Sequence, residues 1–474
     1  MRPSADTFLR RALVIVALSV PACGLPSNLS AQTAWELTPY RVQLVICTTD
    51  EPPFTPRLKA DLARALVHRA DTVFGPSWIV RASTGAEAVG LAAIIEETAL
   101  DAAGIAPEWL EGDKVMFVFV SSSAAGFRFV ARELDLVTRT WSAPRAGESA
   151  DAAVLVPEIF RTVVAAFAPL AIIDSVEKSS AVMRLRAGAL PVPDFALAKV
   201  APGTVFRPVI RVNDRDGNPR DVRVVQWTYL LATEVNGDRV TCQIHTGVKN
   251  PLGAKSGGAV QQLALAVVAP QGSTRLELRS RADPRRVLCG YDVYASPPDS
   301  EALSLVGRTD ATGSVMIGPA GSPLRILLVK NGAELLGRLP LVPGLAPLAT
   351  AALPDDDQRL AIEGFITGLQ ESLVDTVAQR EVLLVRIRAR IAKGEKSGLE
   401  EARGFLAQLK RLPTRDQLAA RLDERQKTNV ASDARVRREI QKLFEDTREV
   451  IKQYLDPRQI EEAAASIAAA GPGK

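Results

Sequence analysis

The amino-acid sequence predicts a multidomain α+β protein: a mixed α/β head, one or two small antiparallel β domains of barrel or sandwich type, and a C-terminal helical hairpin or bundle. Three observations carry that reading. Residues 33–201 alternate strand-like apolar runs with amphipathic helices, residues 202–342 hold β-branched runs of strand length cut by turns, and from residue 358 apolar side chains recur every three or four positions. At 474 residues, with 47% hydrophobic and 24% charged content, the chain is long enough for about three cored domains and too apolar to be disordered.

The first 32 residues read as a signal peptide. Arg2, Arg10 and Arg11 form a basic start, Ala12 to Val20 is a short apolar run, and small residues follow at Ala22 and Ala31. A bilayer span needs about 20 apolar residues, so this run is too short for one. Val20-Pro21-Ala22-Cys23 resembles a bacterial lipobox that would place a lipid on Cys23, although Pro21 departs from the pattern. The competing cut, after Ala31 or Gln32, is preferred and leaves a free chain. The mature protein is therefore expected to be exported, periplasmic or extracellular, and held to a membrane only if Cys23 is acylated.

The formal charge of +4 falls to +2 once Arg2, Arg10, Arg11 and Asp6 leave with the signal, and aromatic content is 5%. Neither number supports a nucleic-acid footprint or a stacking platform for bases or sugars.

In the head, residues 33–201, Tyr40 to Thr48 is strand-like and Thr55 to Phe74 reads as a helix with Leu58, Leu62, Leu66 and Val73 on one face. Lys114 to Ser122 and Gly126 to Trp141 look like paired strands, and Ala152 to Phe167 like a second amphipathic helix. A β domain over 202–285 is expected to hold strands at Val205 to Val212, Asp221 to Leu231, Arg239 to Thr246, Val260 to Val268 and Thr274 to Arg279. A sandwich-like domain over 286–342 follows, with strands at Tyr291 to Ala295, Leu303 to Thr309, Ser314 to Ile317 and Leu324 to Val329. Its turns fall at Asp310-Ala311-Thr312-Gly313 and Asn331-Gly332.

Gly290-Tyr291-Asp292-Val293-Tyr294, Gly307-Arg308-Thr309-Asp310 and Thr312-Gly313-Ser314-Val315 make this last unit resemble a carboxypeptidase-regulatory or Cna-B-like β-sandwich. That resemblance implies a non-catalytic spacer or adhesion piece. The order of domains, with Trp35-Glu36-Leu37-Thr38-Pro39-Tyr40-Arg41-Val42 and Leu341-Val342-Pro343-Gly344, also resembles secreted multidomain proteins of planctomycete-type bacteria, and brings an address with no mechanism.

Pro343, Pro347 and Pro354 mark 343–357 as a Pro-rich linker, and Asp355-Asp356-Asp357 suit the positive end of a following helix. Over 358–474, Ile362, Ile366, Leu369, Leu373 and Val377 set one helical stripe, continued by Leu384, Ile387 and Ile391. Ser397 with Glu400, and Thr414 with Gln417, have capping-box spacing and are expected to start two more helices. The last long helix carries Val436, Ile440, Leu443, Thr447, Val450 and Tyr454, a coiled-coil-like seam about three heptads long. An intramolecular bundle accounts for it; the competing use of Val436, Ile440, Leu443, Val450 and Tyr454 is a helix-docking face for a partner.

Chemistry-bearing motifs are scarce. His68 and His245 are the sole histidines, without ligand spacing around them, and are expected at the surface or rim. Gly253-Ala254-Lys255-Ser256-Gly257-Gly258 lacks the Gly-Lys-Ser adjacency of a phosphate loop, and Asp214-Arg215-Asp216-Gly217-Asn218 lacks the anchoring acids of a calcium loop. Ser121-Ser122-Ser123 reads as a turn. Glu133 and Asp135 share one strand face, expected to be solvated and laced with Arg132 and Arg139. Cys47 is expected in the core, and Cys242 and Cys289 are either a disulfide or two buried thiols. No catalytic residue, cofactor or metal site is expected. The expected function is that of a non-catalytic exported envelope scaffold or adaptor, binding an envelope protein or self-associating through its C-terminal helices, with a secreted hydrolase carrying accessory β modules as the alternative.

Overall fold

The computed structural model describes residues 34–49, 51–84, 107–192, 200–215, 217–247, 252–253, 259–268, 272–428, 431 and 433–471. The signal region with Cys23, and most of the 253–258 loop, lie outside them. The chain is a mixed α+β multidomain protein with several β-sheets and a C-terminal helical region.

The head sheet takes its strands from β1 (Tyr40–Thr48), β2 (Trp78–Thr84), β3 (Lys114–Ser123), β4 (Gly126–Asp135), β5 (Thr140–Trp141) and β6 (Arg145–Ser149), ordered β2-β1-β3-β4-β5 with β6 also on β4. Helix α1 (Pro56–Phe74) starts where the Thr55 hydroxyl accepts from Leu58 N, with Pro56 in the first turn where its missing N–H costs nothing. Leu62, Leu66, Ala70 and Val73 turn inward, while Leu58 stays 38% exposed. Helix α2 (Leu155–Ala166) covers the same sheet face through Ile159, Phe160 and Val163.

Next comes a barrel: β7 (Leu170–Glu177), β8 (Ser180–Leu185), β9 (Val205–Asn213), β11 (Thr228–Asn236), β12 (Arg239–Thr246) and β13 (Val260–Ala266) pair in the order β9-β11-β12-β8-β7-β13, and β13 returns to β9, closing six strands. Strand β10 (Pro219–Val224) hangs on the outer half of β9. So narrow a barrel has room for few large side chains, and its core includes Ala171, Ala181, Ala232 and Ala264 beside Phe206, Met183 and Leu230. The boundary expected at residue 201 thus falls inside one sheet, because β7 and β8 supply its middle. The strand expected over Asp221 to Leu231 breaks in two around Trp227, whose φ of 52° no strand accommodates.

A seven-strand sandwich then packs the sheet β17-β14-β20 on the sheet β16-β15-β18-β19, from β14 (Thr274–Ser280), β15 (Asp292–Ser296), β16 (Ser304–Arg308), β17 (Ser314–Ile317), β18 (Arg325–Asn331), β19 (Glu334–Leu341) and β20 (Leu348–Leu353). Tyr291, Val293, Leu276, Leu327 and Val329 fill its core. Two expectations change here. Strand β14 belongs to this unit rather than the barrel, and the Pro-rich linker contains β20, which runs parallel to β14.

The helices are α3 (Asp357–Ala392), α4 (Lys396–Leu409), α5 (Arg415–Lys427), α6 (Ala434–Tyr454) and α7 (Arg458–Ala469). Helix α3 is the spine: its 36 residues reach about 54 Å. Its first half packs on α5 and α6, and its second half on α4 and α7. The capping box of Thr414 and Gln417 forms as expected. Ser397 caps nothing, since Gly394, with φ of 67°, ends α3 so sharply that α4 has begun by Lys396. Thr414→Ala is expected to cost about 1 kcal/mol in denaturant unfolding of the purified chain; an unchanged midpoint would show that the box adds nothing.

Candidate functional site

Head and barrel share one hydrophobic core, in which Leu170, Val209, Leu263 and Leu265 of the barrel meet the helix-covered face of the head sheet. Two features sit in that junction: a buried charge cluster and a cleft.

In the cluster, Lys114 on β3 lies opposite Asp135 on β4, and Glu133 is two residues along the same face. Lys114 Nζ donates to Glu133 Oε1 at 2.6 Å, Asp135 Oδ2 at 2.7 Å and the Ala168 carbonyl at 2.7 Å, which uses all three ammonium protons. Glu133 Oε2 accepts from Ala168 N at 2.9 Å, and Asp135 Oδ1 from Thr138 N and Oγ1, each at 2.7 Å. All three residues are sealed from solvent. The solvated face expected for Glu133 and Asp135 is therefore wrong. Tyr40, Phe167 and the entry to β7 cap that end of the sheet, contacts that lie 30 or more residues away in sequence. Burial raises the Glu133 carboxyl to about 7 while Lys114 pulls it back; burial would lower Lys114, but Asp135 and Glu133 hold it above its ordinary value. Tyr40 is raised to about 12 by burial. With all three ammonium protons matched and the three side chains sealed from solvent, the cluster ties β3 and β4 to the barrel entry.

Beside the cluster, a cleft of about 310 Å³ opens between head and barrel. Its walls are rings and aliphatic side chains: Phe74 stacks on Trp78 with centroids 3.8 Å apart, Phe167 lies 4.6 Å from Trp78, and Tyr40 meets Phe167 edge-on at 5.1 Å. Leu190 and Val192 close the barrel side. Tyr40, Ser77 and Arg186 bring polar side chains to its lining, the Tyr40 hydroxyl being paired with the Leu170 backbone. The Ser77 hydroxyl is buried with no hydrogen-bond partner, and Arg186 gives Nη2 to Asp113 at 2.7 Å and to the Pro39 carbonyl at 2.9 Å while its Nε has no partner. Nothing in the order of the chain pointed to this cleft, because its walls come from four separated segments.

A second cavity, about 410 Å³, lies between barrel and sandwich and is lined by Arg207, Trp227, Tyr229 and Leu345. At this same junction Gly247 sits so close to the Arg338 carbonyl that a Cβ would approach within 2.3 Å.

The other expected residues are placed as follows. His68 is exposed on α1. His245 is 5% exposed rather than on a rim; burial and then Arg338 lower its pKa. Cys47 is buried in β1 as expected, whereas Cys242 is buried in the barrel and Cys289 exposed in the sandwich, so no disulfide joins them. Asp214 closes a turn by accepting from Asn218 N at 2.8 Å, and no cluster of metal-binding side chains occurs among the described residues. No described helix is long and apolar enough to cross a membrane. On α6, Val436 and Ile440 are buried against α3 and α5, Leu443 and Val450 pack at the edge of that core, and Tyr454 is 51% exposed. The expected docking face is thus consumed inside the chain; the buried line runs through Phe444, Thr447 and Ile451 because a helix wedged between two others needs a wider stripe than a two-helix seam.

The face left open belongs to α3. Val374, Val382 and Val385 are 66%, 50% and 57% exposed, and with Ala378 and Ala389 they form a stripe on the side of the helix opposite its buried residues.

No family model and no curated protein matches the chain. Among solved structures it is similar to TolB from Acinetobacter baumannii, at 11% identity over 66% of this chain and 96% of that one, with a TM-score of 0.15. It is similar also to the Bacillus anthracis TIE protein, at 10% identity over 44% of this chain and 46% of that one, with a TM-score of 0.15. Likeness at that level carries no argument about function.

Proposed function

We propose that the chain is a non-catalytic exported envelope scaffold that self-associates through its C-terminal helical region, by α3 rather than by α6. Support for export is the signal-like start; support for the absence of catalysis is the sealed state of its clustered acids. The observation that carries the reading is the exposed stripe on α3 and the charges beside it. Exposed valines at helical spacing on a spine helix are unusual for a surface with no partner. Asp375 and Glu381 lie among them, Arg388 and Lys393 follow, and none of these four makes an ion pair with another described residue.

That polarity fits a second copy running antiparallel. With Val382 of one copy against Val385 of the other, Ala378 meets Ala389, Glu381 falls beside Arg388 on one flank, and Asp375 beside Lys393 on the other. Two-fold symmetry makes each contact twice. The sandwich, in the spacer role its resemblance implies, would then set head and barrel at a fixed distance from that joint.

The purified chain is expected to sediment as a dimer that Val382→Glu converts to a monomer. Glu381→Arg or Arg388→Glu alone should weaken the dimer, and the two together should restore it, because only the antiparallel register brings those positions opposite each other. A monomer at every attainable concentration, or charge-swapped chains that stay as weak as the single variants, would sink the reading.

A further inference from the structure

We propose that the junction of barrel and sandwich holds a binding site for a small organic carboxylate, an apolar body with a single negative charge that Arg207 receives. The cavity there, about 410 Å³, is of ligand size and lies between domains, where such sites concentrate. Among the described residues of its lining Arg207 is the one that carries a charge, and no acid stands there to balance it.

The strand pattern aims that side chain. Along β9, Phe206 enters the barrel core, while Val205 faces outward and packs with Tyr229, Ile326 and Val342 where the sandwich meets the barrel. Arg207 lies two residues beyond Val205, so it leaves the barrel on the same outward face. The register of β9 on β11 pairs Val205 with Leu231 and Phe206 with Leu230, which brings Tyr229 beside Arg207. What the guanidinium lacks is a partner. Half-buried, Arg207 makes no hydrogen bond or ion pair with any described residue, and none of its three nitrogens is sealed from open space, unlike Nε of Arg186 or Arg211. Burial lowers its pKa, and the group that offsets this is Tyr229 rather than a carboxylate.

A cation so placed gains most from a carboxylate, whose two oxygens match the guanidinium fork. One cation balances one charge, which favours a monoanion over a phosphate dianion. Trp227, Val342 and Leu345 give the site its apolar wall. Backbone strain sits in that wall: Trp227 is held at φ of 52°, with its carbonyl accepting from Gly247 N at 2.9 Å.

The test titrates the purified chain with 2-naphthoate, 2-naphthamide and acetate in a calorimeter. Saturable binding of 2-naphthoate is expected, with the amide roughly ten-fold weaker or worse for want of charge, and acetate weaker still for want of a body. Arg207→Met should bring 2-naphthoate down to the level of the amide. Without ligand it should melt no lower than the wild type, since it removes a half-buried charge that nothing compensates. Far-UV circular dichroism reports whether that variant folds; if it does not, Arg207→Lys, which keeps the charge and loses the fork, should weaken 2-naphthoate by several-fold. Four results would each overturn the proposal: no saturable binding of 2-naphthoate, the amide binding as tightly as the carboxylate, acetate binding as tightly as 2-naphthoate, or a preference for the carboxylate that survives loss of Arg207 in folded protein.

Discussion

Lys114→Met is expected to destabilise the chain by about 3–5 kcal/mol at pH 8, the cost of leaving buried carboxylates without their cation. Glu133 and Asp135 would keep their other hydrogen bonds and lose the one group that balances their charge. The effect must depend on pH, and its sign follows from the direction of the shifts. Burial already lifts the Glu133 carboxyl to about 7 with Lys114 in place, and without the cation it rises further. A carboxyl raised in the folded state binds a proton that the unfolded chain has released, so stability falls as the pH climbs above the ordinary carboxylate value. The loss in Lys114→Met should therefore be smaller at pH 5 than at pH 8. In the wild type Lys114 itself is raised, so the stability it confers persists through neutral pH and is lost only above the ordinary lysine range. Guanidinium unfolding at both pH values measures this. Replacing all three residues by apolar ones of similar size should recover most of the loss, since a buried ion cluster contributes little net stability over a well-packed apolar core. A Lys114→Met chain within about 1 kcal/mol of wild type at pH 8, or one more damaged at pH 5, would contradict the account.

The sequence disclosed elements whose signal is local. The strand Tyr40–Thr48, the helix opened by Thr55 and Pro56, and the Thr414 capping box follow from side chains within four residues of one another, and each forms where its pattern stands. What stayed hidden depends on contacts far apart in the chain. Strands β7 and β8 alternate as any hairpin does, and nothing in them tells whether they finish the head or begin a barrel; pairing of β13 with both β7 and β9 decides it. Glu133 and Asp135 carry the alternation of a solvated face, and only Lys114, 19 and 21 residues earlier, makes that face habitable inside. On α6 the stripe from Val436 to Tyr454 runs along one edge of the buried line, so Tyr454 is exposed and Phe444, off that stripe, is buried. The valines of α3 stand on a helix that is apolar on two sides, so in the sequence pattern the stripe facing α6 masks the one facing solvent.

Arg359→Met is expected to cost a comparable amount, about 3–5 kcal/mol, and to do so at one joint. The triplet Asp355-Asp356-Asp357 does more than complement a helix end. Asp356 has no solvent exposure, and Arg359 grips it with Nε at 2.8 and 2.9 Å from its two oxygens and Nη2 at 2.5 Å, while another Arg359 bond reaches the Asn331 carbonyl at the end of β18. Tyr291, in the sandwich core, accepts from Asp356 N at 3.0 Å, and Arg286 pairs with Asp355 and Asp357. The fork of one arginine thus fastens the first turn of α3 to the sandwich. Lysine cannot reproduce that fork, so Arg359→Lys should recover only part of the loss. The cost should fall mainly on the coupling between modules: calorimetry of Arg359→Met should show the helical region melting apart from the β modules, where the wild type melts them together. Burial raises the Asp356 carboxyl against the pull of Arg359, so removing the arginine lifts it further and the two transitions should draw closer as the pH is lowered. Unfolding of Arg359→Met in one transition at the wild-type midpoint would mean that the apolar contacts of α3, and not this ion pair, hold the joint.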